Sequence, residues 1–323
     1  MKPKILATQW VPDEVKEAFA PKAELISPDK EKIAFSKAEV LQLLPDFDGL
    51  FTIFFAADRA VIDAGTKLKT IANLGVGFDS IDVSYATEKH IAVINTPQSV
   101  TEGTAELTIA LMMDTMRNIA AYDRFVRAGH WVTGAFEAAG TELYGRKIGV
   151  CGFGRIGRSV GKKAQALGMQ LYYYDPFRLS EADEAALGAT YLPFTDLLRQ
   201  CDCISLHMPY TPENHHLICR DTLSLMKPEA YLINAARGPV VKESDLVWAL
   251  QNGIIRGAGL DVFETEPVIS DALKACPNVV MTPHIGTQTY GIRVAMCHEA
   301  LQGMTAIFAG ERPYNLVNGQ VVL

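Results

Sequence analysis

The stretch that decides the fold is KIGVCGFGRIGRSVGKKAQALGMQLYYYD, residues 147–175. It begins with an apolar run, continues through a G-x-G-x-x-G motif and a helical segment, and ends with a second apolar run followed by Asp175. This order is typical of a βαβ unit that binds a dinucleotide. Three glycines at that spacing often arise by chance, but here both strands and the helix are in register with them.

Each part of the motif has a physical role in that interpretation. Gly152 allows a tight turn, Gly154 lets the backbone approach a pyrophosphate, and Gly157 lets the helix pack closely on the strand. The start of the helix presents N–H groups and a positive dipole end to phosphates. Asp175, at the end of the second strand, can accept hydrogen bonds from a ribose diol.

Composition limits the class of protein. The chain has 323 residues, of which 49% are hydrophobic and 21% charged, which predicts a globular protein large enough for two domains. Its net charge of −7 gives no electrostatic support for binding nucleic acid or an anionic membrane. Six cysteines form no C-x-x-C pair, so we expect a cytoplasmic protein with neither disulfides nor a bound metal.

Apolar runs alternate with helical patterns along the chain, which predicts parallel sheets covered by helices. One helix is expected from Thr101 towards Arg127, as a connecting element beside a hinge. Another, from Ile292 to Ala309, would make the first domain discontinuous if it returned to that domain. The predicted strands are residues 5–8, 50–54, 70–74 and 92–95 before the motif, 148–151 and 171–174 within it, and 202–206, 230–234, 257–261 and 279–282 after it.

Three segments that follow predicted strands carry residues suited to chemistry: NAARGP (234–239), DVFETEP (261–267) and TPHIG (282–286). An Arg can bind a carboxylate bidentately, and a His can transfer a proton near neutral pH. A Glu behind the imidazole fixes its tautomer and favours its protonated form. Arg237, Glu264, Glu266 and His284 therefore suit hydride transfer between a nicotinamide and a 2-oxo acid, although each alone also fits an ordinary loop residue.

The chain resembles the D-isomer-specific 2-hydroxyacid dehydrogenase family over essentially its whole length. The resemblance rests on the glycine motif, on the three segments above, and on NLGVGFDSID, NTPQSVTEGTAE, DRFVRAGHW and MPYTPENHHLI. It implies an α/β fold in which a Rossmann nucleotide-binding domain, residues 101–290, is inserted into a smaller flavodoxin-like substrate domain, residues 1–100 and 291–323. It also implies a homodimer paired through the Rossmann domain.

The resemblance further implies residue roles. Arg237 anchors the substrate carboxylate and carbonyl, His284 donates the proton in reduction, and Glu266 is the partner of His284, whereas Glu264 does not match the catalytic acid. The backbone of Val76 and Gly77 matches the loop that binds the substrate carboxylate, although an ordinary tight turn is an equal local explanation. Phe54 and Phe55 are also expected at the substrate. The residues expected to contact NAD are Gly152, Gly154, Arg155, Ile156, Gly157, Asp175, Thr104, Pro209, Ala235, Ala236, Asp261 and Gly286.

Within the family, the chain looks closest to glyoxylate, hydroxypyruvate and 2-ketogluconate reductases. Phosphoglycerate dehydrogenases typically carry an Arg where this chain has Thr52-Ile53-Phe54-Phe55, and an apolar wall there is a poor setting for a phosphate. We therefore expect NAD-dependent reduction of a small unphosphorylated 2-oxo acid to the D-hydroxy acid. Asp175 favours NAD, whereas Arg178 is a cation of the kind that a 2′-phosphate would need. The alternatives are a phosphoglycerate dehydrogenase without a regulatory domain and a non-catalytic NAD-sensing regulator.

Overall fold

The computed structural model describes residues 2–132 and 139–321. The chain divides into two compact units. The discontinuous unit combines Met1–Val100 with Thr287–Leu323, and the central unit is Thr101–Gly286. Each unit has its own parallel β-sheet.

The strands, in chain order, are β1 (Lys4–Ala7), β2 (Glu24–Ile26), β3 (Gly49–Thr52), β4 (Thr70–Asn73), β5 (Ala92–Ile94), β6 (Lys147–Cys151), β7 (Gln170–Tyr174), β8 (Thr190–Tyr191), β9 (Cys203–Leu206), β10 (Tyr231–Asn234), β11 (Gly257–Leu260) and β12 (Val279–Met281). The helices are α1 (Asp13–Phe19), α2 (Lys37–Leu43), α3 (Arg59–Ala64), α4 (Val83–Glu88), α5 (Thr101–Arg117), α6 (Ile119–Arg127), α7 (Arg155–Ala166), α8 (Glu181–Leu187), α9 (Phe194–Gln200), α10 (Arg220–Leu223), α11 (Glu243–Gln251), α12 (Asp271–Lys274) and α13 (Tyr290–Phe308).

In the discontinuous unit, five parallel strands lie in the order β2-β1-β3-β4-β5. The C-terminal helix α13 packs on β4, β5 and α1, so the end of the chain completes the core begun by the first hundred residues. Its buried residues Met296, Ala300 and Met304 recur at helical spacing. The last helix thus lies in the same compact unit as the first hundred residues.

In the central unit, seven parallel strands lie in the order β12-β11-β10-β9-β6-β7-β8. The glycine motif joins β6 to α7, as the βαβ pattern predicts. Because the strands are parallel, their carboxyl ends meet along one edge of the sheet, where ligands bind in open α/β folds. The α/β class with a Rossmann sheet, predicted from the sequence, is confirmed.

The prediction of a single helix from Thr101 towards Arg127 is wrong, because the chain forms two helices that meet at Asn118. Asn118 adopts a left-handed backbone with φ of 56°, which Asn tolerates better than most residues. The carboxylate of Asp114 then accepts a bond of 2.7 Å from the N–H of Ala120 in the first turn of α6. The first helix, α5, packs on β10, β11 and α7 as a layer of the central unit.

The cysteines are free thiols, and Cys151 and Cys203 are buried in strands, as their apolar surroundings predict. Burial raises the pKa of both thiols far above the usual range, so they stay neutral and inert. In the described ranges, no helix combines the length and the hydropathy needed to cross a membrane.

Candidate active site

The glycine loop in the central unit has the geometry of a dinucleotide site. Gly152 has φ of 89°, and a Cβ there would lie 2.5 Å from the N atom of Met208. A Cβ on Gly157 would lie 2.1 Å from the carbonyl oxygen of Gly152. The tight turn and the close packing of helix on strand, which the sequence predicts for these two glycines, are therefore confirmed.

Gly154 has a different reason to be glycine. A Cβ there would meet no atom of the described residues within 4 Å, so packing against them does not require glycine at this position. Open space before the first turn of α7 is what the close approach of a pyrophosphate requires. Gly154 is also the N-cap of α7 and has no side chain, so the capping residue does not compete for the first N–H groups of the helix. The loop thus fits the cofactor that its sequence predicts.

Asp175 lies directly after β7 and is held against this loop. Its Oδ2 atom accepts a bond of 2.8 Å from the N–H of Phe153, and its Oδ1 atom accepts one of 2.9 Å from the N–H of Phe177. These bonds fix the carboxylate beside the glycines. This is the place at which a dinucleotide presents its adenosine ribose.

Arg178, the cation near Asp175, is engaged elsewhere. Its Nε and Nη2 atoms donate to the two oxygens of Glu184 at 2.8 and 3.0 Å. The guanidinium also lies 4.9 Å from the ring centre of Tyr191. Arg178 lowers the pKa of Glu184, so the pair is charged at neutral pH. A bidentate pair of this kind has a fixed orientation, which the sequence alone does not reveal.

His284 and Glu266, predicted to act together, form a hydrogen-bonded pair. The Nδ1 atom of His284 lies 2.9 Å from Oε2 of Glu266, whose Oε1 accepts from the N–H of Phe263 at 3.1 Å. Burial raises the pKa of Glu266, but the bond and charge of His284, the Phe263 N–H and the charge of Arg237 together lower it below its usual value. The Glu266 carboxylate is therefore ionised at neutral pH.

Asp261 builds the loop that carries His284. Its carboxylate accepts from the Thr282 hydroxyl at 2.7 Å, from the Ile285 N–H at 2.8 Å and from the Gly286 N–H at 2.9 Å. Its carbonyl accepts from the N–H of His284, whose backbone is left-handed with φ of 52°. Burial raises the pKa of Asp261 although these bonds oppose it. From its sequence, Asp261 is expected to contact the cofactor; its positioning role is visible only in the loop geometry.

Arg237 follows β10 and shares the edge with the His–Glu pair. The side chain of Asn234 donates to the carbonyl of Arg237 at 3.0 Å, and Arg237 Nη1 donates to the carbonyl of Ala236 at 2.8 Å. A Cβ on the next residue, Gly238, would lie 1.7 Å from the carbonyl oxygen of Phe263. Only glycine at 238 thus permits the loop of Arg237 to lie so close to the loop of Glu266.

The two glutamates of the DVFETEP segment have different partners. Glu264 lies 2.6 Å from Nε2 of His216 and accepts from the N–H of Glu243 at 2.8 Å, at the start of α11. Glu266 bonds His284. The structure therefore agrees with the assignment of Glu266, and not Glu264, as the partner of the histidine.

Other residues predicted for the cofactor lie along the same edge of the central sheet. Ala235 and Ala236 directly follow β10. Pro209 follows Met208, whose backbone N atom packs closely against Gly152. A Cβ on Gly286 would lie 3.4 Å from both Thr104 Oγ1 and Asp261 Oδ2, so these three residues converge. Their contact with the cofactor remains a prediction.

The predicted substrate residues lie in the discontinuous unit. The loop after β4 is held by two asparagines, because Asn73 donates to the carbonyl of Gly77 and Asn95 donates to the carbonyl of Val76 at 2.8 Å. These bonds set the orientation of the peptide groups in a loop whose N–H groups are expected to bind a carboxylate.

The apolar wall expected from Ile53, Phe54 and Phe55 is only partly correct. Ile53 is buried, Phe55 is partly buried, and Phe54 is 60% exposed with a left-handed backbone. The guanidinium of Arg293, in the first turn of α13, lies 6.0 Å from the ring centre of Phe54. Arg293 was not among the predicted residues, because the fold brings α13 to the loop after β3 from the far end of the chain. The wall is thus one exposed aromatic ring with a cation beside it.

A dinucleotide loop, an arginine and a His–Glu pair along the carboxyl edge of one parallel sheet define a nicotinamide-dependent oxidoreductase. Residues 109–286 match the family described as D-isomer specific 2-hydroxyacid dehydrogenase, NAD binding domain. The chain is 39% identical to a glyoxylate reductase of Thermococcus onnurineus, over all of this chain and 98% of that protein. The chain therefore belongs to the D-isomer-specific 2-hydroxyacid dehydrogenase family and acts on CH–OH groups with a nicotinamide cofactor.

Solved structures of glyoxylate reductases are also similar to this chain over nearly its whole length. An NADPH-dependent glyoxylate/hydroxypyruvate reductase of Sinorhizobium meliloti, in complex with NADP and malonate, has a TM-score of 0.87 and 32% identity, over 100% of this chain and 98% of that one. A glyoxylate reductase of Paecilomyes thermophila has a TM-score of 0.88 and 30% identity, over 99% of both chains.

Proposed function

We propose that this enzyme uses NADH to reduce small, unphosphorylated 2-oxo acids, glyoxylate and hydroxypyruvate first among them, to the D-2-hydroxy acids. The observation that carries the proposal is the cluster of Arg237, Glu266 and His284 on the sheet edge that also bears the glycine loop. The relatives named glyoxylate reductase or glyoxylate/hydroxypyruvate reductase support the substrate class.

Some of the proposed site residues bind the substrate, and the others serve proton transfer. The bound nicotinamide supplies the hydride. Arg237 binds the substrate carboxylate and polarises the carbonyl, while the N–H groups of Val76 and Gly77 provide a second grip on the carboxylate. His284 gives a proton from Nε2 to the carbonyl oxygen as negative charge develops there. Glu266 holds Nδ1, which sets the direction of the ring and stabilises its charged form.

We also propose that the protein is a cytoplasmic homodimer, paired through the central unit. Helix α6 in that unit exposes Ile119, Tyr122 and Val126, at 53%, 37% and 52%. These residues lie at spacings of three and four, so they form one apolar stripe on the helix. An exposed stripe of this kind is typical of a subunit contact.

The substrate proposal is tested by steady-state kcat/KM for glyoxylate, hydroxypyruvate and 3-phosphohydroxypyruvate with NADH. We expect turnover of the first two, and a lower kcat/KM for the phosphorylated acid because one arginine beside an exposed ring does not neutralise a phosphate dianion. A higher kcat/KM for 3-phosphohydroxypyruvate would instead indicate a phosphoglycerate dehydrogenase. Tight NADH binding without turnover of any 2-oxo acid would indicate the NAD-sensing regulator.

The cofactor preference is a separate prediction. A 2′-phosphate beside Asp175 would meet like charge at a cost of about 1–4 kcal/mol, and Arg178 is paired with Glu184 instead of facing such a phosphate. We therefore expect a much higher kcat/KM with NADH than with NADPH. Asp175→Ala should lower the ratio of kcat/KM with NADH to kcat/KM with NADPH about tenfold. Glu181→Ala, which removes a nearby exposed carboxylate, should leave this ratio unchanged. Equal kcat/KM with both cofactors in the wild type would contradict the preference.

A further inference from the structure

Glu184, on helix α8, binds three donors with one carboxylate. Its two oxygens accept from Nε and Nη2 of Arg178 at 2.8 and 3.0 Å, and Oε1 also accepts from the hydroxyl of Tyr173 at 2.7 Å. The Glu184 side chain is only 13% exposed, whereas Glu181 and Asp183 on the same helix are exposed residues. A mostly buried carboxylate with three bonds has a fixed place, so it also fixes the arginine that it binds.

Tyr173 connects this carboxylate to the glycine loop. The tyrosine is fully buried in β7, and its ring stacks on that of Phe153 in the glycine loop, with 4.3 Å between the ring centres. Its hydroxyl also accepts from the N–H of Leu179 at 3.0 Å. The N–H of Phe153 in turn donates to Asp175, at the expected place of the adenosine ribose. Glu184 therefore shares its support with the residue that is predicted to bind the ribose.

Arg178 is the cation nearest to Asp175 along the chain. It lies three residues after Asp175 and is the only basic residue in the segment 164–198. A guanidinium binds a carboxylate or a phosphate bidentately through the same pair of donors. The Nε and Nη2 donors are bonded to Glu184, and the guanidinium also lies 4.9 Å from the ring centre of Tyr191. The donors that suit a 2′-phosphate are therefore already engaged.

We propose that Glu184 is a positioning residue that sets the cofactor preference by withholding Arg178 from the 2′-phosphate of NADPH. This inference rests on the proposed function, through its preference for NADH. Asp175 disfavours NADPH directly, by like charge. Glu184 acts through the arginine, because it engages the donors that would otherwise offset that charge. A chain that keeps Arg178 and lacks the Glu184 carboxylate should accept a 2′-phosphate more readily.

The first test measures binding without turnover. Adenosine 2′,5′-bisphosphate carries the phosphate that distinguishes NADPH from NADH, and 5′-AMP lacks it, so isothermal titration calorimetry of the two isolates that group. In an Asp175→Ala background, where like charge no longer opposes the phosphate, Glu184→Gln should lower the Kd of the bisphosphate about 5- to 10-fold. It should change the Kd of 5′-AMP by less than about twofold. In the otherwise wild-type chain, Glu184→Gln should lower KM for NADPH more than it changes kcat.

Arg178→Met completes a double-mutant cycle in the same background. With Glu184 present, Arg178→Met should change the Kd of the bisphosphate by less than about twofold, because the arginine is already withheld. With Met at position 178, Glu184→Gln should bring no gain. A gain that persists without the arginine would overturn the proposal, because Glu184 would then repel the phosphate directly. Weaker binding from Arg178→Met alone would also overturn it, because the arginine would already bind the phosphate.

A matched control and a stability measurement separate this role from a structural one. Glu181→Gln removes an exposed carboxylate from the same helix and should leave both Kd values unchanged. The amide of Glu184→Gln can still accept from the Tyr173 hydroxyl, so Tm should fall little. A purely structural Glu184 would give a lower Tm and equal changes in Kd for both nucleotides. That result, or no gain for the bisphosphate, would overturn the proposal.

The fate of this inference is distinguishable from that of the proposed function. A wild type that reduces no 2-oxo acid with either cofactor would overturn the proposed function, while the Kd values would still decide the role of Glu184. A wild type that uses NADPH as well as NADH would overturn the cofactor preference, and this inference with it.

Discussion

His284→Ala is expected to lower kcat for 2-oxo acid reduction by about 10²–10⁴-fold, the usual contribution of a positioned general acid. NADH affinity, measured by quenching of protein fluorescence, should change little because the glycine loop and Asp175 are untouched. The measurement is steady-state and single-turnover reduction across neutral pH.

His216→Ala is a close control for this substitution. Both histidines lie in the central unit with left-handed backbones, at φ of 54° and 52°, and both bond a glutamate of the same segment. Only His284 belongs to the proposed proton-transfer cluster, so His216→Ala should keep kcat within about threefold. Turnover near the wild-type rate in His284→Ala would show that another group donates the proton.

Glu266→Gln is expected to lower kcat/KM about 10–100-fold at pH 8 and to move the high-pH limb of the reduction profile to lower pH. The pKa of Glu266 is below its usual value, so its carboxylate is charged throughout this range and favours the charged imidazole. The amide keeps the shape but not the charge. The donor therefore loses its proton at lower pH in the variant, and the loss of activity should be smaller at pH 6.

Glu264→Gln is the control for Glu266→Gln, since it makes the same change two residues away, on the carboxylate that bonds His216 and the start of α11. It should leave the pH profile in place. If the pH profile of Glu266→Gln superimposes on that of the wild type, the Glu266–His284 pair does not govern proton transfer.

Features built from neighbouring residues were predictable from the sequence. The turn at Gly152 and the packing at Gly157 depend on residues close in the chain. The strands β3, β4 and β10 also lie within a residue or two of their predicted positions, because a buried parallel strand is a continuous apolar run. The short edge strands β2 and β8 were missed, since runs of 3 and 2 residues at a sheet edge carry little pattern.

The local sequence pattern did not predict the break between α5 and α6 or the partners of the charged side chains. The apolar face that suggested one helix from 101 to 127 continues through Asn118, where the backbone turns left-handed. From the sequence, Arg178 could have bound the 2′-phosphate of NADP. In the structure, it instead forms a bidentate pair with Glu184. Asp261 was expected at the cofactor, yet its carboxylate also holds three groups of the loop that carries His284.

The sequence by itself determined the class of this protein, with a parallel α/β fold and a dinucleotide loop, and it singled out the Arg, Glu and His that we propose as the catalytic residues. These follow from hydrophobic period, glycine spacing and motif, all of which are written locally along the chain. The tertiary structure decided which side chains pair. It directed Arg178 to Glu184, set Asp261 beneath the His284 loop, and brought Arg293 of the last helix to Phe54 in the loop after β3. Pairings between distant residues depend on how sheets and helices pack, and no local pattern records that packing.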